Sequence, residues 1–334
     1  MSNKNHLVNP RPPPNYGSMS SHGHPQGDIL EPHLSLPPAF VNHIQQYPYS
    51  SDNHHTQYTS LPGYSDEEEE EQEKDFNTLF NEYLITTPFI IIAIFSFILL
   101  LYVWPIKTND NDDNDGNGNT IIIEHWNIFL LGISGWSLVF LLRRPSFFLL
   151  SKLIKVKVST SGILTLLLVG FTEEIVRLIW LYYAHEDAST GNDIYQDFLI
   201  AYWLGLGWAT AEAIYFIIQN FIAVRWYKEE NGMNGQYMEE RLELEEILGR
   251  PLTKVSAWWG VMWRVSWIFA HIGFSCWIAF SSVLVYPAAM IHGLLHVVWG
   301  YCLPIFGIPT VSYVTLILTL AMFLIGLALF GQIV

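Results

Sequence analysis

The stretch GFTEEIVRLIWLYY, Gly170–Tyr183, decides how the chain is read. It lies in an apolar run that opens at Ser161 and closes near Tyr183. Such a run is long enough to cross a bilayer, which takes ~20 apolar residues. Near its centre stand Glu173, Glu174 and Arg177. Each ionisable side chain at that depth costs at least ~2.5–3.5 kcal/mol. Three of them are tolerated only where they face a protein interior or a water-filled cavity. The rest of the membrane domain is therefore expected to be built to receive these groups.

Working outward, 51% of the 334 residues are apolar and several runs exceed the length of a membrane span, which predicts a polytopic membrane protein. The formal net charge of -15 is not a property of the membrane part. Much of it comes from an acidic cluster, Asp66–Asp75, and an acidic loop, Asp110–Asp115. The two cysteines, Cys276 and Cys302, both lie in apolar runs, which excludes a disulfide framework. The polar, proline-rich N-terminus has no apolar core of a cleavable signal peptide, so the first apolar helix is expected to do the targeting.

The expected fold class is an all-α membrane protein of about seven transmembrane helices with a disordered N-terminal tail. Residues 1–80 read as a disordered, acidic, cytosolic tail, too poor in aliphatic residues to offset its ordering entropy. Its histidines have no spacing of a structural metal site. Residues 84–334 read as the transmembrane domain, with a site core at 161–303. The spans are expected near 86–104, 121–142, 161–183, 198–224, 256–285, 287–306 and 309–331. Glu124 and His125 read as interfacial. Arg143, Arg144, Lys152, Lys155 and Lys157 read as a basic interfacial segment after the second span. The loops after the second and fourth spans hold five Lys or Arg each, while those after the first, third and fifth hold one, none and none. The positive-inside rule then makes the basic loops and the tail cytosolic.

Polar groups recur at similar depth in four of these spans: Glu173, Glu174 and Arg177, then Glu212, then His271, then His292 and His296. Arg177 follows Glu173 by four residues and Glu174 by three, so it reaches either along the helix. His292 and His296 are one turn apart and share a face. Hydrolysis needs groups of this kind: a carboxylate to take a proton from water, cations or imidazoles for the oxyanion, and an acid for the leaving group. Each has a plainer alternative. Arg177 could neutralise a glutamate, Glu212 could bond between helices, His271 could be a satisfied core residue, and His292 and His296 could belong to an aromatic belt. Small residues around Glu212 read as close-packing positions, and Trp258, Trp259, Trp263 and Trp267 as packing or interface anchors. Zinc held by His271, His292, His296 and one glutamate is the metal alternative. It ranks below a metal-free site, since HExxH is absent. A serine nucleophile elbow is absent too.

The order Glu173-Glu174-x-x-Arg177, Gly207-Trp208-x-x-x-Glu212, then Arg264 and His271, resembles the glutamic-type intramembrane proteases of the PrsW kind. His292-x-x-x-His296 is similar to the last motif of the wider CPBP (CAAX-protease) group. The layout also resembles the YhfC-like membrane peptidases and the anterior-pharynx-defective subunit of gamma-secretase, a scaffold. The resemblance spans roughly residues 170–300, with Trp208 where Phe is usual and His296 where Asn is common. It implies a hydrolase that cleaves peptide bonds in or near the membrane. Glu173 or Glu174 would activate water, and His271 with His292 or His296 would stabilise the oxyanion or shuttle protons. Expected partners are a membrane protein or peptide substrate, the lipid bilayer and members of a membrane complex, with no nucleic acid. The expected location is an internal eukaryotic membrane, endoplasmic reticulum or vacuole. The alternatives are a non-catalytic scaffold or assembly subunit of the same fold, and a proton-coupled transporter, for which an inverted repeat is lacking.

Overall fold

The computed structural model describes residues 74–103, 120–153, 158–187, 194–228 and 238–332. All of them belong to one unit. Among the described residues the secondary structure is helical throughout, without a strand. Long apolar runs leave the backbone no other way to satisfy its polar groups in hydrocarbon. The long helices are α1 Phe76–Val103, α2 Thr120–Leu153, α3 Val158–Asp187 and α4 Ile194–Arg225. A short charged helix, α5 Met238–Leu248, precedes α6 Trp258–Phe280. Helix α7, Val285–Val297, continues through a π-helical turn, Val298–Cys302, into α8 Leu303–Phe306. Gly307, at φ 78°, breaks the direction before α9 Ile308–Leu329. Only glycine adopts that left-handed conformation without strain.

Among the described residues, five helical segments are long and apolar enough to cross a membrane: Phe76–Leu101, His125–Arg143, Ile194–Arg225, Ser282–Phe306 and Ile308–Leu329. Helices α3 and α6 are equally long but carry the polar groups singled out above. Several expected boundaries move. Helix α1 begins at Phe76 rather than near residue 86, so the tail's last expected residues are already helical. Helix α2 does not stop at Leu142 but continues through Pro145 to Leu153. A proline forfeits one backbone bond and need not end a helix that packing supports. His125, expected at an interface, is buried. The tail up to Glu73 and the loop at residues 104–119 lie outside the described residues, as do Lys155 and Lys157.

Glycines set the spacing between helices. A Cβ on Gly170 of α3 would lie 2.6 Å from the Cα of Gly293 in α7. One on Gly205 of α4 would lie 2.7 Å from the carbonyl oxygen of His271 in α6. One on Gly207 would strike the Phe129 carbonyl of α2. The contacts at Gly205 and Gly207 are the small-residue packing expected around Glu212; the one at Gly170 was not singled out in the sequence. They hold α3 to α7 and α4 to both α2 and α6, while α9 packs on the other side of α6 at Gly273. Gly170→Ala is expected to destabilise by ~1–3 kcal/mol, because backbone cannot yield to the new methyl. Gly300→Ala is expected to be near neutral, since its methyl meets only the flexible end of Leu166 at 3.0 Å. Thermal unfolding of the purified protein in detergent, followed by tryptophan fluorescence, compares the two.

Candidate functional site

The seven residues singled out in the sequence meet in one polar cluster between α3, α4, α6 and α7, most of them joined by hydrogen bonds. Glu173, Glu174, Arg177, His271 and His292 are each at most 1% exposed. Their positions follow from the glycine contacts. Gly293 follows His292 directly, and Gly170 precedes Glu174 by one turn, so the tight α3–α7 contact brings that imidazole to that carboxylate. His292 Nδ1 lies 2.5 Å from Glu174 Oε1.

Arg177 is the centre of the network. Its Nε donates to Glu174 Oε2 at 2.9 Å. Its Nη1 donates to the His271 carbonyl oxygen at 3.0 Å and to Ser275 Oγ at 2.8 Å. Its Nη2 lies 3.0 Å from His271 Nδ1. The guanidinium rests on the Trp208 ring, 4.5 Å from the centroid. A guanidinium has donors only, so His271 Nδ1 must accept and the ring proton sits on Nε2. That proton is donated to Glu212 Oε2, 2.5 Å away. Glu212 Oε1 accepts from Arg264 Nη1 at 2.8 Å, and the Arg264 guanidinium lies 4.1 Å from the Phe216 ring centroid. By the same reasoning Glu174, which already accepts from Arg177, takes the Nδ1 proton of His292. The free lone pair of His292 is then on Nε2.

Glu173 differs from its neighbour. Its Oε1 accepts from Arg143 Nη2 of α2 at 2.7 Å. Its Oε2 lies 3.5 Å from His292 Nε2, and its Oε1 lies 3.6 Å from His296 Nε2. These two imidazole nitrogens are buried and hydrogen-bond to no other described residue. Trp267 floors the group. Its ring stacks on His271 at 5.5 Å and on His296 at 5.3 Å, and tilts toward His292 at 5.5 Å. His292 and His296 stack on each other at 4.8 Å. The members nearest the outside are Glu212, His296 and Arg143, with side chains 18%, 15% and 14% exposed.

The sequence reading missed four of these contacts. Arg143 was expected in an interfacial segment, but it lies in the continuing α2 and pairs with Glu173. Arg264 stood only in the resemblance, and it pairs with Glu212. Ser275 was not singled out; its i+4 spacing from His271 was the available signal. Trp267, expected as packing or an anchor, also stands one turn before His271. A metal-capable group does form, but it comprises Glu173, His271 and His292, whose ligand atoms lie within 4.8 Å of one another. His296, expected among the zinc ligands, is outside that group. No protein-family model, no curated protein and no solved structure matches the chain.

Proposed function

We propose that this polar centre is hydrolytic, and that the protein is a membrane-embedded peptidase of the glutamic type. One observation carries the reading. Glu173 Oε2 and His292 Nε2 face each other at 3.5 Å, and both are acceptors once the His292 proton is on Nδ1. Two acceptors so close, one of them the buried and unbonded Nε2, call for a donor between them. A water about 2.8 Å from each would serve, giving one hydrogen to either acceptor. Its own lone pair is then free to attack a carbonyl carbon. As that bond forms, Glu173 takes the proton. Glu173 passes that proton through His296 Nε2, 3.6 Å from its Oε1, to the amide nitrogen, and the carbon–nitrogen bond breaks as the oxyanion's electron pair re-forms the carbonyl, leaving a carboxylic acid and a free amine. His296, the most exposed of the three rings, is the one nearest an incoming substrate. Glu174 orients His292, and Glu212 with Arg177 orients His271, so these are positioning residues. Glu173 is taken as the base because its Oε2 lies beside the unbonded His292 Nε2, whereas both oxygens of Glu174 and of Glu212 already accept from a guanidinium or an imidazole.

Two further points belong to this reading. Helices α3 and α6 are taken as spans along with the five apolar ones, which gives seven. The centre is taken as metal-free. A metal-bound histidine keeps its proton on the other ring nitrogen and donates it. Arg177 occupies that nitrogen of His271 as a donor, so a metal on Nε2 would have to displace either Arg177 or the ring's neutral state. The scaffold reading also has an observation in its favour: each of the three carboxylates is paired with a guanidinium. The proton-relay reading is weakened, because Arg177 stands between the Glu173–His292–Glu174 half and the His271–Glu212 half and carries no exchangeable charge.

Glu173→Gln keeps shape and removes the base. It is expected to lose ~10²–10⁴-fold in activity at unchanged abundance. The measurement is N-terminal peptide profiling of host membranes expressing each variant at matched levels. An unchanged profile would establish the scaffold reading. Arg177→Met is expected to fail differently, by ~3–5 kcal/mol of stability, since it strands Glu174 in the interior. It should be read as loss of folded protein. Cleavage is expected to persist after dialysis against EDTA; loss that zinc restores would overturn the metal-free assignment.

A further inference from the structure

We propose that Arg143 of α2 is the oxyanion donor of the polar centre: its Nε–H binds the substrate carbonyl oxygen as that oxygen becomes negative. The inference rests on the hydrolytic reading. Amide hydrolysis needs such a donor, aimed in advance at the place where charge develops. The resemblance would give this task to an imidazole, but the imidazole protons are committed. His271 donates from Nε2 to Glu212, and His292 from Nδ1 to Glu174. His296 carries the proton to the leaving amine. Arg177 is no more available, with Nε on Glu174, Nη1 on the His271 carbonyl and Ser275, and Nη2 on His271 Nδ1.

Arg143 is engaged at one point, by Nη2 on Glu173 Oε1. Its Nε is buried and has no hydrogen-bond partner among the described residues. A buried donor left open is rare in a folded chain and calls for a partner. Nε and Nη2 form one edge of the planar guanidinium, so their N–H bonds run parallel. The Nε–H therefore points to the same side as the bond to Glu173. Arg264 also has an open, buried Nε, but it holds Glu212, the carboxylate of the His271 half. Arg143 holds the base itself, whose other oxygen lies 3.5 Å from His292 Nε2, beside the proposed water. One carboxylate thus separates the guanidinium from the water position. The turn that carries Arg143 is fixed. Phe140, one turn earlier on α2, packs on Trp136 at 5.2 Å and on Tyr215 of α4 at 4.7 Å. The guanidinium lies 5.9 Å from the Phe140 ring. The charges also balance. As the water oxygen bonds to the carbonyl carbon, the carbonyl π pair moves onto its oxygen and a water proton moves to Glu173. Negative charge leaves the carboxylate and appears on the oxyanion. A cation beside both serves the first through Nη2 and the second through Nε, and the net charge of the site does not change. When the carbonyl re-forms and the amine leaves with the proton, the pair with Glu173 is restored.

The test takes the cleavage junction in host membranes that depends most on Glu173 and builds it into two probes. One is a quenched fluorogenic peptide. The other is its phosphinic analogue, whose tetrahedral P–O⁻ stands for the oxyanion. Both are used with the purified full chain in detergent. Arg143→Lys keeps a charge opposite Glu173 but has no fork. It is expected to lower kcat by ~10²–10³-fold with KM unchanged within about twofold. An unchanged kcat overturns the proposal. The second readout is phosphinate affinity in a Glu173→Gln background, measured from unfolding midpoints by tryptophan fluorescence. There Arg143→Lys is expected to weaken the phosphinate by ~10²-fold, because the contact is to the oxyanion itself. Equal affinity in that background would mean that Arg143 only holds the base, which also overturns the proposal. Should Arg143→Lys lower the unliganded midpoint, Arg143→Gln takes its place in the same background, where removing both charges strands neither. Failure of the hydrolytic reading is seen separately: no junction depends on Glu173, and both readings fall together.

Discussion

An ionised group buried without a partner costs several kcal/mol, and removing one member of a buried pair strands the other. This molecule brings three carboxylates and three guanidiniums into one helical interior. Arg143 pairs with Glu173, Arg177 with Glu174 and Arg264 with Glu212. The pairs draw on four helices: the Arg177 pair lies within α3, the first joins α2 to α3, and the last joins α4 to α6. Arg177 also reaches across to α6 through the His271 carbonyl and Ser275. The charge requirement thus fixes which helices must be neighbours before any apolar contact is considered.

Close packing then fixes the details to within an ångström. The network tolerates little error, because its bonds are 2.5–3.0 Å long and lie mostly between different helices. Glycine at positions 170, 205 and 293 removes the side-chain layer that would hold the helices apart. Trp208 and Trp267 fill what remains, one beneath Arg177 and the other beneath the histidines. Aromatic faces suit both tasks: they exclude water, and their quadrupole favours the guanidinium over bare hydrocarbon.

Much of this was legible in the sequence, for a physical reason. A charge in an apolar run is conspicuous because it is costly, so Glu173, Glu174, Arg177, Glu212 and His271 could be read singly and then grouped by depth. The all-helical class followed from run length alone. Arg143 was not legible, because it sits where a span was expected to end, beside Pro145 and Arg144, and a basic residue there is what an interface also produces. Trp267 was hidden for a similar reason: tryptophan at a span's end and tryptophan under a histidine cluster look alike in one dimension. The expected zinc grouping forms in part: Glu173, His271 and His292 bring ligand atoms within 4.8 Å of one another, whereas His296, one turn on from His292 and 3.6 Å from Glu173, does not join all of them.

What the sequence could not divide was the pair Glu173-Glu174, where either could activate water. Their hydrogen bonds differ. Glu174 is satisfied at both oxygens, by Arg177 and by His292, and is wholly enclosed. Glu173 Oε2 lies 3.5 Å from Nε2 of the ring that Glu174 orients, and that nitrogen is buried without a hydrogen bond among the described residues. Adjacent residues on a helix point about 100° apart, so two identical carboxylates in sequence are turned toward different neighbours. One is held by Arg177 and His292, and the other is turned toward the Nε2 atoms of His292 and His296. Arg177 lies within reach of either along the helix, but its donors are committed to Glu174 and to His271 and Ser275 of α6, so Glu173 takes its guanidinium from α2 instead.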